Sequence, residues 1–246
     1  MREHTGCRRP RRLPGILLGL LVALPAAAQA PDAVGVDLGG GEPGGYARLL
    51  LLFAAAALAP AVLAVITSFA RIAVVLFFLR AGLGSNDIPP TIVLMGLALF
   101  LTVFTMGPQI DAAYAQAVAP YMAGEIELPA AAESFMAQLR GYMEAHARDA
   151  DLAVFAAYTP PAADGTVSMK ALVPAFVLSE LRAAFLTGFI IYLPFLVIDL
   201  VVAGTLASTG LLGLPTTAVS LPFKVMLFVM VDGWALLAQS LLATTM

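Results

Sequence analysis

Three charged residues stand where a bilayer or a packed interior should exclude them: Asp199, Lys224 and Asp232. Lys224 and Asp232 interrupt the apolar run from Leu221 to Trp234, and Asp199 interrupts Phe185 to Leu206. A charge at the centre of a membrane helix costs about 2.5–3.5 kcal/mol on insertion scales, so it faces protein, water or an opposite charge. Such residues can pair helices, line an ion pathway or, as two carboxylates, activate water. An Asp199/Asp232 hydrolytic dyad finds no support, because nothing else in the chain marks a hydrolytic context. Lys224 and Asp232 are eight positions apart, two helical turns or about 12 Å. That places them on nearly the same face, too distant to touch, and predicts a charged face that meets other subunits. The alternative is a monomeric bundle that satisfies its own charges by pairing Asp199 with Lys224.

Other chemistry is sparse. His146 is a lone histidine on a predicted surface helix, and His4 lies in the N-terminal leader. No Ser/His/Asp set, metal-spaced cluster or phosphate-cradling glycine loop is present, and Gly82-x-Gly84 lacks the rest of a nucleotide fingerprint. The reading is of a chain that is not an enzyme and needs no cofactor or metal. A net charge of −3 gives no basic footprint for nucleic acid. The single cysteine, Cys7, falls in the leader, so the mature chain has no disulfide to form.

Hydropathy says where such a chain lives. Of its 246 residues 61% are apolar and 12% charged, about half the charged content of a soluble domain, roughly 25%. With a mean hydropathy of +0.92, it is membrane-embedded or buried in an assembly. Arg8, Arg9, Arg11 and Arg12 precede the short apolar core Ile16–Leu24, which Pro25 breaks before Ala26-Ala27-Ala28-Gln29-Ala30. This is the pattern of a signal peptide. Cleavage after Ala28 or after Ala30 fits. Pro31 would follow the second scissile bond and hinder it, which favours Ala28 and a signal over 1–28. An uncleaved first helix is the alternative. Residues 29–45, rich in Gly, Pro and Asp, read as a linker.

Four apolar segments follow: Leu49–Ile66, Ile92–Met106, Phe185–Leu206 and Leu211–Val231. Arg71 and Arg80 bracket Ile72–Leu79 and place that loop inside by the positive-inside tendency. Residues 109–182 and the C-terminus then lie outside. Pro60, Gly188, Pro194, Gly204, Gly213, Pro215 and Pro222 interrupt the apolar segments. Such breaks are tolerated where protein or a water-filled cavity surrounds them, as in an oligomer lining a conduit. Ala203/Ala207 and Gly204/Ser208 offer small-residue contacts at spacing four. Residues 109–182 hold an amphipathic helix over about Ala130–Ala150 and a short one over Asp151–Tyr158, ended by Pro160-Pro161. Nine acidic residues make this segment acidic, and alone it is too small for a sizeable core. The expected organisation is all-α: a helical hairpin over 46–108, an acidic helical extracytoplasmic insertion over 109–182, and a second hairpin over 183–246.

Several multi-residue blocks resemble one family. Thr67-Ser68-Phe69-Ala70-Arg71-Ile72, Leu79-Arg80, Ile88-Pro89-Pro90, Gly96 to Thr102 and Gly107-Pro108 come first. Ala150-Asp151-Leu152, Pro174 to Leu181, Pro194 to Leu200, and Pro222-Phe223-Lys224 through Asp232-Gly233-Trp234 follow in order. Over about residues 46–240 this is similar to FliP, a subunit family of the flagellar protein export gate, with its type III secretion relatives. The resemblance implies a non-enzymatic subunit of the bacterial inner membrane and flagellar basal body. About five copies would wind with FliQ and FliR into a helical cone. Other membrane proteins of the export apparatus surround it, and unfolded proteins pass through its centre. The family's pore-closing loop carries methionines after a glycine. The matching positions after Gly210 are Leu211, Leu212 and Gly213, which the resemblance makes the pore constriction. Two other functions stay open. One is the equivalent subunit of a virulence-type system, against which the leader argues, since those relatives usually begin near the first apolar segment. The other is a small-solute transporter, which would usually show inverted repeats; none is visible here.

Overall fold

The computed structural model describes residues 43–85, 88–162, 165–210 and 213–245. The cleavage site expected at Ala28 and the expected constriction residues Leu211 and Leu212 lie outside them. The chain divides into two units, 1–56 and 57–246. In the first, the described residues are the opening turns of helix α1 (Pro43–Ile66). Its start at Pro43 lies inside the stretch read as linker.

The second unit is built around α2 (Phe69–Leu83). This segment was expected to be a loop on the strength of its two arginines. It is instead the most buried helix of the bundle. Ile72, Val75, Leu76 and Leu79 recur at helical spacing and are wholly buried. Arg71 and Arg80 are end charges on a core helix, not marks of a solvated loop. Gly84 stops the helix in the left-handed conformation, φ 76°, with its N–H returned to the Ala81 carbonyl.

Around α2 lie α3 (Thr91–Thr105), the long α8 (Met169–Ser208), α9 (Thr216–Met230) and α10 (Gly233–Thr245). Their inward residues Leu94, Ala98, Leu101, Ala184, Phe195, Phe228, Leu237 and Leu241 close one core. Two aromatic rings lie in the glycine gaps of the α2–α8 contact. A Cβ at Gly82 would stand 2.6 Å from the Phe195 ring, and one at Gly188 would stand 2.6 Å from that of Phe78.

Between α3 and α8 run α4 (Gly107–Ala113), a π-helical turn over Tyr114–Val118, α5 (Ala119–Met122), α6 (Leu128–His146) and α7 (Asp149–Ala156). The two helices expected here are α6 and α7. They close a second core in which Tyr142 and Met143 meet Ile66, Met106, Leu172 and Phe176. Among the described residues every regular element is helical.

No element ends at the 182/183 boundary of the expected insertion. Helix α8 starts at Met169, where Ser168 caps it by accepting the N–H of Lys170. Its 40 residues extend about 60 Å, twice the roughly 30 Å hydrocarbon core. It is the one described helix long and apolar enough to cross a membrane unaided. Three further spans arise only if bent pairs count as one: Pro60–Ile66 with α2 at 82°, α3 with Gly107–Met122 at 62°, and α9 with α10 at 65°. The expected first hairpin is therefore three helices, of which α2 is interior. Ala203, Gly204, Ala207 and Ser208 are exposed on α8, and among the described residues a Cβ at Gly204 would meet nothing within 4 Å.

Candidate assembly site and its buried ion pairs

Asp199 and Lys224 are brought together. The Lys224 ammonium donates to Asp199 Oδ2 at 2.6 Å, and Ser220 Oγ donates to Asp199 Oδ1 at 2.6 Å. Ser220 and Lys224 sit one turn apart on α9 and both are buried. Lys224 Nζ also lies at the C-terminal end of α2, 3.3 Å from where a Cβ on Gly84 would stand. A cation there is favoured by the helix dipole. The pair is the intramolecular arrangement weighed above as the monomeric alternative.

Asp232 is elsewhere. It was expected on the Lys224 face of one helix, but the helix has already ended at Met230. Asp232 is exposed at the corner between α9 and α10, with φ 51°. Asp is among the few side chains that tolerate this region. Gly233 is required there for another reason: a Cβ would fall 2.2 Å from the Phe228 ring. Trp234 meets the same ring edge-on at 5.1 Å. The Asp-Gly-Trp block thus makes a corner, not a third charge in mid-helix. Gly213, the one residue of the expected constriction that is described, is exposed before α9.

The sequence reading missed a second ion pair. Arg71 grips Glu180 with two parallel bonds, Nε to Oε2 at 2.8 Å and Nη2 to Oε1. Its remaining Nη1 donates to the Thr244 carbonyl. One buried guanidinium thus ties α2 to α8 and to the C-terminal turn of α10. This planar fork geometry is specific to arginine. Beside it, Ser68 and Thr105 share a buried hydrogen bond at 3.0 Å. Burial, then the Glu180 charge, pushes the Tyr142 phenol up to about 12. The signal that could have found this pair is the eight-residue apolar run after Arg71, which leaves that arginine no route to water.

A third cluster docks α7. Ser179 Oγ accepts the Arg148 N–H at 3.0 Å and donates to Asp151 Oδ2 at 2.9 Å. Arg182 holds the other oxygen of the same buried carboxylate at 3.0 Å. Ser68, Arg71, Asp151, Ser179, Glu180, Asp199, Lys224 and Gly233 all come from the blocks that carried the family resemblance. Apart from Gly233, which meets Phe228 of the adjoining helix, they make contacts between elements distant in sequence.

A chain of bent apolar helix pairs, with its interior charges neutralised in pairs and a large apolar surface left bare, defines a membrane-associated helical subunit. Comparison with known proteins gives the particular family. Residues 52–241 match the FliP family, and the chain belongs to it. It is 43% identical over 198 residues to the flagellar biosynthetic protein FliP of Bacillus subtilis, covering 79% of this chain and 90% of that protein. It is 42% identical over 233 residues to the FliP of Pectobacterium carotovorum, covering 92% and 90%. It is 41% identical over 223 residues to that of Caulobacter vibrioides, covering 89% and 84%.

Proposed function

We propose that this chain is a channel-forming subunit of the flagellar type III export gate, acting in the bacterial inner membrane to pass unfolded flagellar proteins. The observation that carries the reading is the family match over residues 52–241. The bare apolar surface supports it. Leu186, Ile190, Val197 and Leu200 on α8, and Met226, Val229 and Met230 on α9, are all exposed in the single chain. Patches of this kind mark protein or membrane contacts. The subunit works in about five copies with FliQ and FliR, in an open heterologous assembly. It performs no chemistry of its own. Leu211, Leu212 and Gly213 form the constriction, and Asp199, Lys224 and Asp232 serve the subunit's shape and its contacts.

Deletion of the gene tests this. Cells lacking it should make no filament and export no flagellar protein, and the full-length gene should restore both. The virulence-type reading predicts intact filaments and lost effector secretion. The relatives named above are flagellar proteins, which favours the first outcome.

A further inference from the structure

We propose that the tip of a helical hairpin in this chain docks on a second copy of the chain, setting its glutamates against Arg148 and Lys170 of that copy. The inference rests on the export-gate reading and adds the surface through which neighbouring copies meet. Gly107–Met122 and α6 form the hairpin. Gln138 donates across it to Gln116 at 2.6 Å, and Ala113, Ala117 and Ala131 are buried. Helix α6 runs parallel to α8. Arg140 donates to the Val167 carbonyl at 2.5 Å, the Tyr142 ring meets that of Phe176 at 5.7 Å, and the Arg148 N–H reaches Ser179. Leu128 lies twelve residues before Arg140, so α6 extends about 18 Å past the start of α8.

Two helices alone cannot bury the apolar residues of both. Tyr121, Met122, Leu128, Phe135 and Met136 stay exposed in the hairpin, together with Glu125, Glu127 and Glu133. No lysine or arginine lies between Arg80 and Arg140. An apolar surface that carries only acids fits one that brings cations. The chain itself has them. Arg148 and Lys170 are the exposed basic residues among those described, and neither holds a carboxylate there. Asp149 adjoins Arg148 in sequence and is exposed without bonding to it. Glu127 stands 21 residues before Arg148, about 30 Å along α6, and cannot reach it within its own chain. A second copy can supply both cations, and a contact of this kind, tip to foot, repeats from copy to copy as a heterologous interface.

Charge reversal tests the pairing. Glu125→Lys with Glu127→Lys changes the tip, Arg148→Glu with Lys170→Glu changes the foot, and the fourfold variant carries both. All four side chains are exposed, so the changes leave the cores alone. The full-length chain would be purified in its complex through a tag, and its copies counted by native mass spectrometry. A photo-reactive residue at Met122 would identify what the tip touches.

The Met122 cross-link in the wild type should join two copies of this chain. Each double variant should accumulate at the wild-type level yet give about tenfold less of that product, and the fourfold variant should recover most of it. Three results would each overturn the proposal: a cross-link only to a different protein, double variants that cross-link as the wild type does, or a fourfold variant no better than the doubles. Any of these, in a complex that still holds several copies, leaves the export-gate reading standing. A wild-type chain that purifies as a single copy without partners would remove that reading and this inference together.

Discussion

Asp199 and Lys224 stand 25 residues apart in the chain and 2.6 Å apart in the fold. Their contact joins α8 to α9 within apolar surroundings, with Ser220 on the second carboxylate oxygen. Lys224 is thereby committed inside its own subunit, which changes what its loss should do.

Lys224→Ala should act on the subunit before it acts on assembly. Removing one partner of a buried pair strands the other and costs about 3–5 kcal/mol. Asp199 retains Ser220, and its side chain is 30% exposed, so the low end applies. Steady-state level and protease resistance of the full-length chain in membranes should fall. Lys224→Met with Asp199→Leu should recover much of the loss. A single variant at the normal level, failing only in complex formation, would return the lysine to an intersubunit role.

Arg71 should be less replaceable. It makes three bonds to two elements, and both it and Glu180 are buried. Arg71→Lys keeps the charge but loses the fork. It should destabilise nearly as much as Glu180→Gln, within the same range of about 3–5 kcal/mol. Thermal unfolding of the detergent-solubilised chain measures this. A lysine variant as stable as wild type would show that charge, not geometry, holds the three helices.

Gly233→Ala places a Cβ against the Phe228 ring at 2.2 Å. Overpacking of this kind costs about 1–3 kcal/mol. Phe228→Leu in the same chain should relieve part of it by shrinking the obstacle. If the alanine variant is unharmed, or the second change makes it worse, the α9–α10 corner is not set by this contact.

Leu211→Gly with Leu212→Gly should leave an assembled gate that leaks. A ring of leucines can exclude water and ions by dewetting, and glycines cannot. Conductance, or small-molecule uptake by cells that are not secreting, reads the leak. An assembled double variant as tight as wild type places the seal elsewhere.

The helices were legible where apolar runs were long. The expected ranges Leu49–Ile66 and Ile92–Met106 fall close to α1 and α3, and α6 and α7 sit near their expected positions. Charge is a poor guide to burial here. Arg71 and Arg80 make their segment read as a loop, whereas it is a core helix. Asp232 errs the other way: it reads as a charge inside an apolar helix and stands exposed at a backbone corner. The 182/183 boundary falls inside a continuous helix, where Glu180 is paired to Arg71. A long-range pairing is not a local property of the sequence. The Asp199–Lys224 contact could be named as one option but not chosen, because spacing along the chain says nothing about which helices are neighbours.

The central claim is that export substrates pass along this subunit. A flagellar substrate fused to a rapidly folding domain should stall in transit, and a photo-reactive residue at Leu212 would report what lies beside it. The account predicts a covalent product between this chain and the stalled substrate that is absent when no substrate is expressed. An assembled gate with substrate stalled in it, and no such product from Leu211, Leu212 or Gly213, would contradict it.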